Sequence, residues 1–223
     1  MPPRPILIAH RGMPRREREN TLPSFRAALA AGADAIELDV HATSDGVVVV
    51  HHDPSTSDGL EIARTSSGTL AASAAARGTE VPTLESVCRL VTGRAELFVE
   101  IKGAAVDDAV LDVMRRYAGP YAIHGFDHEM IGRIARREPA LRLGLLFDAP
   151  VPDVAGLLAS SGARDAWPEH TLVDERLVRD AHAAGARVLA WTVNDAAEAA
   201  RLTHAGVDGL CSDDITLLGE ARG

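Results

Sequence analysis

The chain has 223 residues with 23 basic and 32 acidic side chains, giving a net charge of −9, and 46% of it is hydrophobic but only 4% aromatic. That apolar content excludes intrinsic disorder, the acidic balance argues against nucleic acid as the main partner, and no apolar run of ~18 residues free of charge is present to span a membrane. The length suits one domain over 1–223, and the apolar run from Ile6 to Ala9 is too short for a signal peptide, which points to the cytoplasm.

In chain order, short apolar runs alternate with Ala-rich stretches, with Gly, Pro, Asp or Asn at the joins. The pattern predicts a strand over 6–10, a helix over 22–31, and strands over 35–40 and 47–52. A weakly patterned stretch from Asp53 to Thr79 reads as a long loop with a helical turn. Helices over 83–92, 104–117, 127–137, 152–161, 174–184, 195–204 and 214–221 follow. Between them lie strands over 97–102, 121–125, 141–147, 170–173, 187–193 and 208–211. The join 41–46 is too short for a parallel crossover, and Asp45-Gly46 is a two-residue hairpin signal. Residues 47–52 are therefore expected to fold back antiparallel on 35–42 as an arm. Eight βα units remain, enough for a (β/α)₈ TIM barrel, with a doubly wound open sheet as the alternative. If Ser44 faces Val47 across the turn, Asp39 lies opposite His52; a slip of two residues brings Glu37 there instead, and His51 points away in both registers.

Barrel sites lie at the C-terminal strand ends, and the polar residues collect there. His10-Arg11-Gly12 ends the first strand, Glu37 and Asp39 share one face of the second, and Glu100 and Lys102 share one face of the third. His124 to Asp127 and Trp191 to Asn194 stand at later ends. Glu37, Asp39 and Glu100 form a hard oxygen site suited to Mg²⁺ or Ca²⁺, since three such charges repel one another without a cation. Adding a divalent ion, Arg11 and Lys102 leaves a single positive charge, which a phosphodiester monoanion neutralises. His10 and His52 supply the base and acid that such a cleavage needs. Every basic residue except Lys102 is Arg, Gln is absent, and Asn20 and Asn194 are the only asparagines. Asn20 either caps the first helix, with Thr21 as a rival cap, or reaches phosphate; Trp191 is core or a substrate wall. His124, His128 and His170 read as bystanders. Cys88 and Cys211 fit no metal or redox spacing and read as buried thiols.

The quoted residues resemble the glycerophosphodiester phosphodiesterase family over nearly the whole chain. The matches are HRG at 10–12, ENT at 19–21, GADAIELDV at 32–40 and the stretch from Thr43 to Asp53. VPTLE at 81–85, EIK at 100–102, WTVND at 191–195 and GVDGL at 206–210 continue them. The resemblance implies a TIM barrel and metal-dependent hydrolysis of glycerophosphodiesters to sn-glycerol 3-phosphate and an alcohol. By position it implies Glu37, Asp39 and Glu100 as metal ligands and His10 and His52 as the acid–base pair. Arg11, Lys102 and Trp191 then face a small-molecule substrate, beside Asn20 if that residue reaches phosphate rather than capping the helix. It also suggests attack by the glycerol 2-hydroxyl through a cyclic phosphate, with direct attack by water as the alternative. Departures are Arg18 for a usual Pro, Gly125 for a usual Ser, and Cys211 to Ile215 where Thr-Asp and then Pro are common. Rival readings are lysophospholipid cleavage on the headgroup side, a catalytically silent phosphodiester binder, and a carbon-acid enzyme such as an aldolase. The sequence leaves the oligomeric state open.

Overall fold

Val, Ile and Leu runs bounded by Gly, Pro and Asp become strands, and Ser, Thr or Asp starts most helices. A computed structural model describes residues 4–103 and 105–222. Its strands are β1 (Ile6–His10), β2 (Ala35–Ala42), β3 (Val48–Val50), β4 (Glu96–Ile101), β5 (Tyr121–Gly125), β6 (Leu143–Phe147), β7 (Asp165–Pro168), β8 (Arg187–Ala190) and β9 (Gly209–Ser212). Its helices are α1 (Leu22–Ala30), α2 (Ser67–Ala76), α3 (Leu84–Val91), α4 (Asp107–Met114), α5 (His128–Arg137), α6 (Val154–Ser161), α7 (Glu175–Ala183) and α8 (Ala196–Ala205). Thr21, Ser66, Thr83, Asp127, Asp153, Asp174 and Asp195 each accept the backbone N–H three residues on, a cap of ~1 kcal/mol apiece. None of the described helices is long and apolar enough to cross a membrane.

The strands run in the order β1-β9-β8-β7-β6-β5-β4-β2-β3, and β1 also pairs with β2, so eight parallel strands close into the expected barrel. The arm is present too: β3 lies antiparallel on β2. One large cluster, including Leu7, Phe25, Ile36, Leu38, Val99 and Ile131, packs the strands against the helices. A second, with Ile8, Phe98, Leu146, Trp167 and Leu189, fills the barrel interior. Strand side chains alternate, so the inward face can be followed along each strand. It changes from Ile8 to His10 on β1, from Ala35 through Glu37 to Asp39 on β2, from Phe98 to Glu100 on β4, and from Ala122 to His124 on β5. An apolar middle layer therefore supports an ionisable upper one.

Four sequence expectations are corrected. The strand expected over 170–173 is instead β7, and His170–Leu172 is a 3₁₀ turn. Asp165 and Pro168 read as loop residues, yet Asp165 is buried because arginines pair it. The loop expected from Asp53 to Thr79 contains ten-residue α2, whose Ser-Gly-Ala sequence carries little amphipathic pattern. The last helix is a 3₁₀ segment, Ile215–Arg222. The hairpin loop has three residues rather than two. Thr43 N–H donates to Val47 O at 3.0 Å, Gly46 adopts φ +78°, and Ala42 pairs with Val48. The register thus moves by one: His51, not His52, stands opposite Asp39, with its N–H on Asp39 O at 3.0 Å. The expected start of the fourth helix at 104 lies outside the described residues; α4 begins at Asp107.

Candidate active site

Ladder register sets the site. His10 pairs with Glu37, Asp39 with Glu100, and Glu100 with His124, so neighbouring strands deliver their ionisable groups at similar heights. After β1 the chain turns sharply through Arg11 (φ +54°) and Gly12 (φ +90°). A Cβ on Gly12 would come within 2.7 Å of the Ser24 backbone, so glycine is required where this turn meets α1. The turn lets Arg11 N–H donate to Glu37 Oε2 at 3.2 Å. Its guanidinium lies 3.1 Å from Asp39 Oδ2 and 3.2 Å from Glu19 Oε2.

Lys102 Nζ contacts Glu100 Oε1 at 2.8 Å and Asp39 Oδ1 at 3.4 Å. Burial, then the charges of Asp39 and Glu37, push the Glu100 carboxyl up to about 8, only partly opposed by Lys102. Burial also works against ionised Asp39, but Arg11, Lys102 and the amide of Asn20 hold its pKa below the ordinary value. Asp39 is fully buried; Asn20 Nδ2 donates to its Oδ2 at 2.8 Å, while Oδ1 has no hydrogen-bond partner.

The two histidines are oriented differently. His10 Nδ1 sits 2.6 Å from Asp213 Oδ1. Burial alone would lower the His10 pKa, but Asp213 and Glu37 raise it above the usual value. Asp213 is in turn held by Asn194, whose Nδ2 donates to Oδ2 at 2.6 Å and whose Oδ1 accepts the Asp213 N–H at 3.0 Å. His52 follows β3 after the ladder has ended at Val50, and this departure, rather than strand register, carries it to the mouth. Its Nδ1 lies 2.8 Å from Asp53 Oδ1.

His10, Arg11, Glu37, His52, Glu100, Lys102 and Trp191 therefore line one cavity of about 170 Å³, together with His124, Phe126 and Trp167. A larger surface groove of about 370 Å³, between Pro150 and Asp180, has no comparable set of groups. Asp39 lies behind the cavity wall and Asn20 is committed to it, whereas Thr21 takes the α1 cap. Trp191 forms the wall, edge-on to Phe126 at 5.7 Å, with its Nε1 on Trp167 O at 2.9 Å. Sequence reasoning gave no role to Asp213, Asn194 or His124. Alternation along β5 and β9 and the rarity of Asn were the available signals.

The donors fit a divalent cation. Ligand atoms of Glu37, Glu100 and His124 lie within 4.8 Å of one another and all three residues are buried, so a metal would relieve the carboxylate repulsion. Asp39 of the expected triad is not part of that group; its free Oδ1 faces Lys102.

Comparison with known proteins adds an independent result. The glycerophosphoryl diester phosphodiesterase family profile matches residues 10–217. A glycerophosphodiester phosphodiesterase of Caldanaerobacter subterraneus subsp. tengcongensis is 29% identical, covering 94% of this chain and 94% of that protein. One from Arabidopsis thaliana is 30% identical over 96% of this chain and 72% of its own length. Among solved structures, an Oleispira antarctica phosphodiesterase in complex with the product sn-glycerol-3-phosphate superposes with a TM-score of 0.89. It is 24% identical and covers 99% of this chain and 98% of that one, a likeness of fold.

Proposed function

The chain belongs to the glycerophosphoryl diester phosphodiesterase family, and on that premise we propose that it hydrolyses glycerophosphodiesters to sn-glycerol 3-phosphate and an alcohol. The observation carrying this reading is the convergence of His10 and His52, two cations and two carboxylates on one small cavity, with Asp39 behind it. Glu37 and Glu100, with Asp39 behind them, would hold a divalent cation, and oxygen donors by themselves favour Mg²⁺ or Ca²⁺. When bound, such a cation polarises phosphoryl oxygen and acidifies the attacking hydroxyl.

His10, whose pKa Asp213 raises, gives its proton to the leaving alkoxide, and His52 takes one from the attacking hydroxyl. If the glycerol 2-hydroxyl attacks, its P–O bond forms as the bond to the alcohol breaks. His10, left neutral, then serves as base while water opens the cyclic phosphate, and His52 as acid. Arg11 and Lys102 neutralise the non-bridging oxygens, and Trp191 walls the apolar side of the glycerol. Asn20 serves this arrangement by fixing Asp39. The reading treats the chain as one catalytic domain, and the two buried free thiols suit the reducing cytoplasm.

The test is release of choline from glycerophosphocholine, beside lysophosphatidylcholine, with and without chelator. Rapid glycerophosphocholine turnover that chelation abolishes is expected. Preference for the lysophospholipid would reassign the substrate, and full activity after rigorous chelation would remove the cation.

A further inference from the structure

His124 is almost wholly buried, at 1% exposure, yet nothing in the fold satisfies its imidazole. Its Nδ1 is buried without a hydrogen-bond partner. Its Nε2 is aimed at Glu37 Oε1 from 3.7 Å, beyond hydrogen-bond reach. A neutral imidazole carries a proton on one nitrogen and a lone pair on the other. With the proton on Nδ1, the Nε2 lone pair faces carboxylates. With it on Nε2, the N–H falls short of its acceptor. Both arrangements leave a buried polar ring uncompensated, which is costly.

The ring is nevertheless held in place. It stacks on Trp167 with centroids 4.4 Å apart and planes 6° from parallel, and it meets Phe98 edge-on at 6.3 Å. Gly144, the ladder partner of His124, makes room for that stack: a Cβ there would lie 2.7 Å from Trp167 Nε1. The fold thus spends a glycine and a tryptophan on fixing an imidazole whose nitrogen points into the carboxylate cluster. On the neighbouring strand, Glu100 stands directly beside it.

We propose that His124 Nε2 is a nitrogen ligand of the divalent cation, so that the site is a mixed nitrogen–oxygen one that favours Mn²⁺ and Zn²⁺ over Mg²⁺ and Ca²⁺. This rests on the cation assigned to the site above, and it changes which ion fits. Carboxylate oxygens alone suit the hard ions, whereas imidazole suits transition-series dications, whose affinities also rise along the first row. A single nitrogen among carboxylates is enough to separate the two groups, because Mg²⁺ and Ca²⁺ gain little from it.

The experiment titrates metal-free protein by calorimetry with each of the four ions alone, for the natural chain and for His124→Phe. Phenylalanine keeps a flat ring on Trp167 and removes both nitrogens. Electron spin echo spectra of bound Mn²⁺ are recorded in parallel, since a directly bound imidazole imprints ¹⁴N modulation on them. The expected result is tighter Mn²⁺ and Zn²⁺ than Mg²⁺ and Ca²⁺ binding in the natural chain, with ¹⁴N modulation. His124→Phe should lose at least ~10-fold for Mn²⁺ and Zn²⁺, far less for Ca²⁺, and lose the modulation. Absence of ¹⁴N modulation from the natural chain overturns the proposal even if His124→Phe does not fold, and so does an equal loss for all four ions. No readout requires turnover: imidazole-bound Mn²⁺ in a chain that cleaves no glycerophosphodiester upholds the ligand and overturns the activity. Binding without the modulation, in an active chain, does the reverse.

Discussion

At the N-terminal end of the barrel, Asp165 on β7 is fully buried and held by Arg187 through two contacts, at 2.8 and 2.9 Å. Arg142 adds a third at 2.9 Å, and the other side of the Arg187 fork meets Glu96 at 3.3 Å. Two guanidinium groups thus face two carboxylates there. At the C-terminal end Glu37, Asp39 and Glu100 share Arg11 and Lys102. One carboxylate is in excess, Glu100 is driven toward its neutral form, and buried polar atoms lack partners. The same residue types serve both ends, but only the N-terminal set is matched in charge and hydrogen bonds. A matched set secures strands; the surplus at the other end is capacity for ligands that the fold itself does not supply.

The contrast can be broken from either side. The largest effect is expected at the mouth: His10→Ala and His52→Ala should each lower kcat by ~10²–10⁴-fold while the proteins remain folded. An unfolded His52→Ala protein would instead make the mouth structural. At the opposite end Arg187→Met should cost ~3 kcal/mol of stability, because it leaves the Asp165 charge buried with Arg142 alone, while kcat of the folded fraction is retained. Denaturant unfolding and activity assays on the same samples separate the two effects. If Arg187→Met lowers kcat as well, the ends are coupled and the contrast is too sharp.

A smaller effect belongs to Lys102, the one lysine of the chain. Its Nζ lies between Glu100 and Asp39 as a compact point charge, a geometry that the planar fork of a guanidinium does not reproduce. Lys102→Arg should therefore lose nearly as much as Lys102→Ala, roughly 10- to 150-fold in kcat/KM. Near-normal kinetics for Lys102→Arg would show that charge alone suffices there. The smallest change moves a pH rather than a rate. Asp213 raises the His10 pKa, so Asp213→Asn should let it fall and leave less His10 protonated at any given pH. If His10 is the acid, the alkaline limb of kcat/KM against pH moves to lower pH; movement of the acidic limb alone would make it the base. The same raised pKa gives a contribution to stability that is present below the unfolded histidine value and is lost as pH rises through the folded one.

Much of the mouth was legible because period-two alternation places Glu37, Asp39, Glu100 and Lys102 on inward faces without any knowledge of contacts. His10 and Trp191 followed from standing at strand ends. What alternation cannot convey is who satisfies whom. Asp213 directly follows the last strand, 203 residues from the histidine it orients. His124 has the sequence neighbourhood of an ordinary buried histidine, and only the missing partners of its ring set it apart. Asn20 and Asn194 illustrate the same limit: their rarity marked them, but not that each amide would grip an aspartate by both side chain and backbone. Strand β7 escaped because its Asp and Pro look like turn residues until the arginines around Asp165 are in place. The hairpin loop differs from expectation because a glycine at φ +78° serves a three-residue turn as readily as a two-residue one.

Closure of the ring by β1, which lies between β2 and β9, also has a temporal consequence. During synthesis β1 leaves the ribosome before every other strand of the barrel, with His10 at its end, and must wait for all of them before β9 arrives beside it. Contacts so distant in sequence form slowly, since the loop they close takes in every other strand of the barrel. A nascent chain therefore carries His10 without Asp213, and its proton donor acquires its orienting carboxylate only when the barrel shuts.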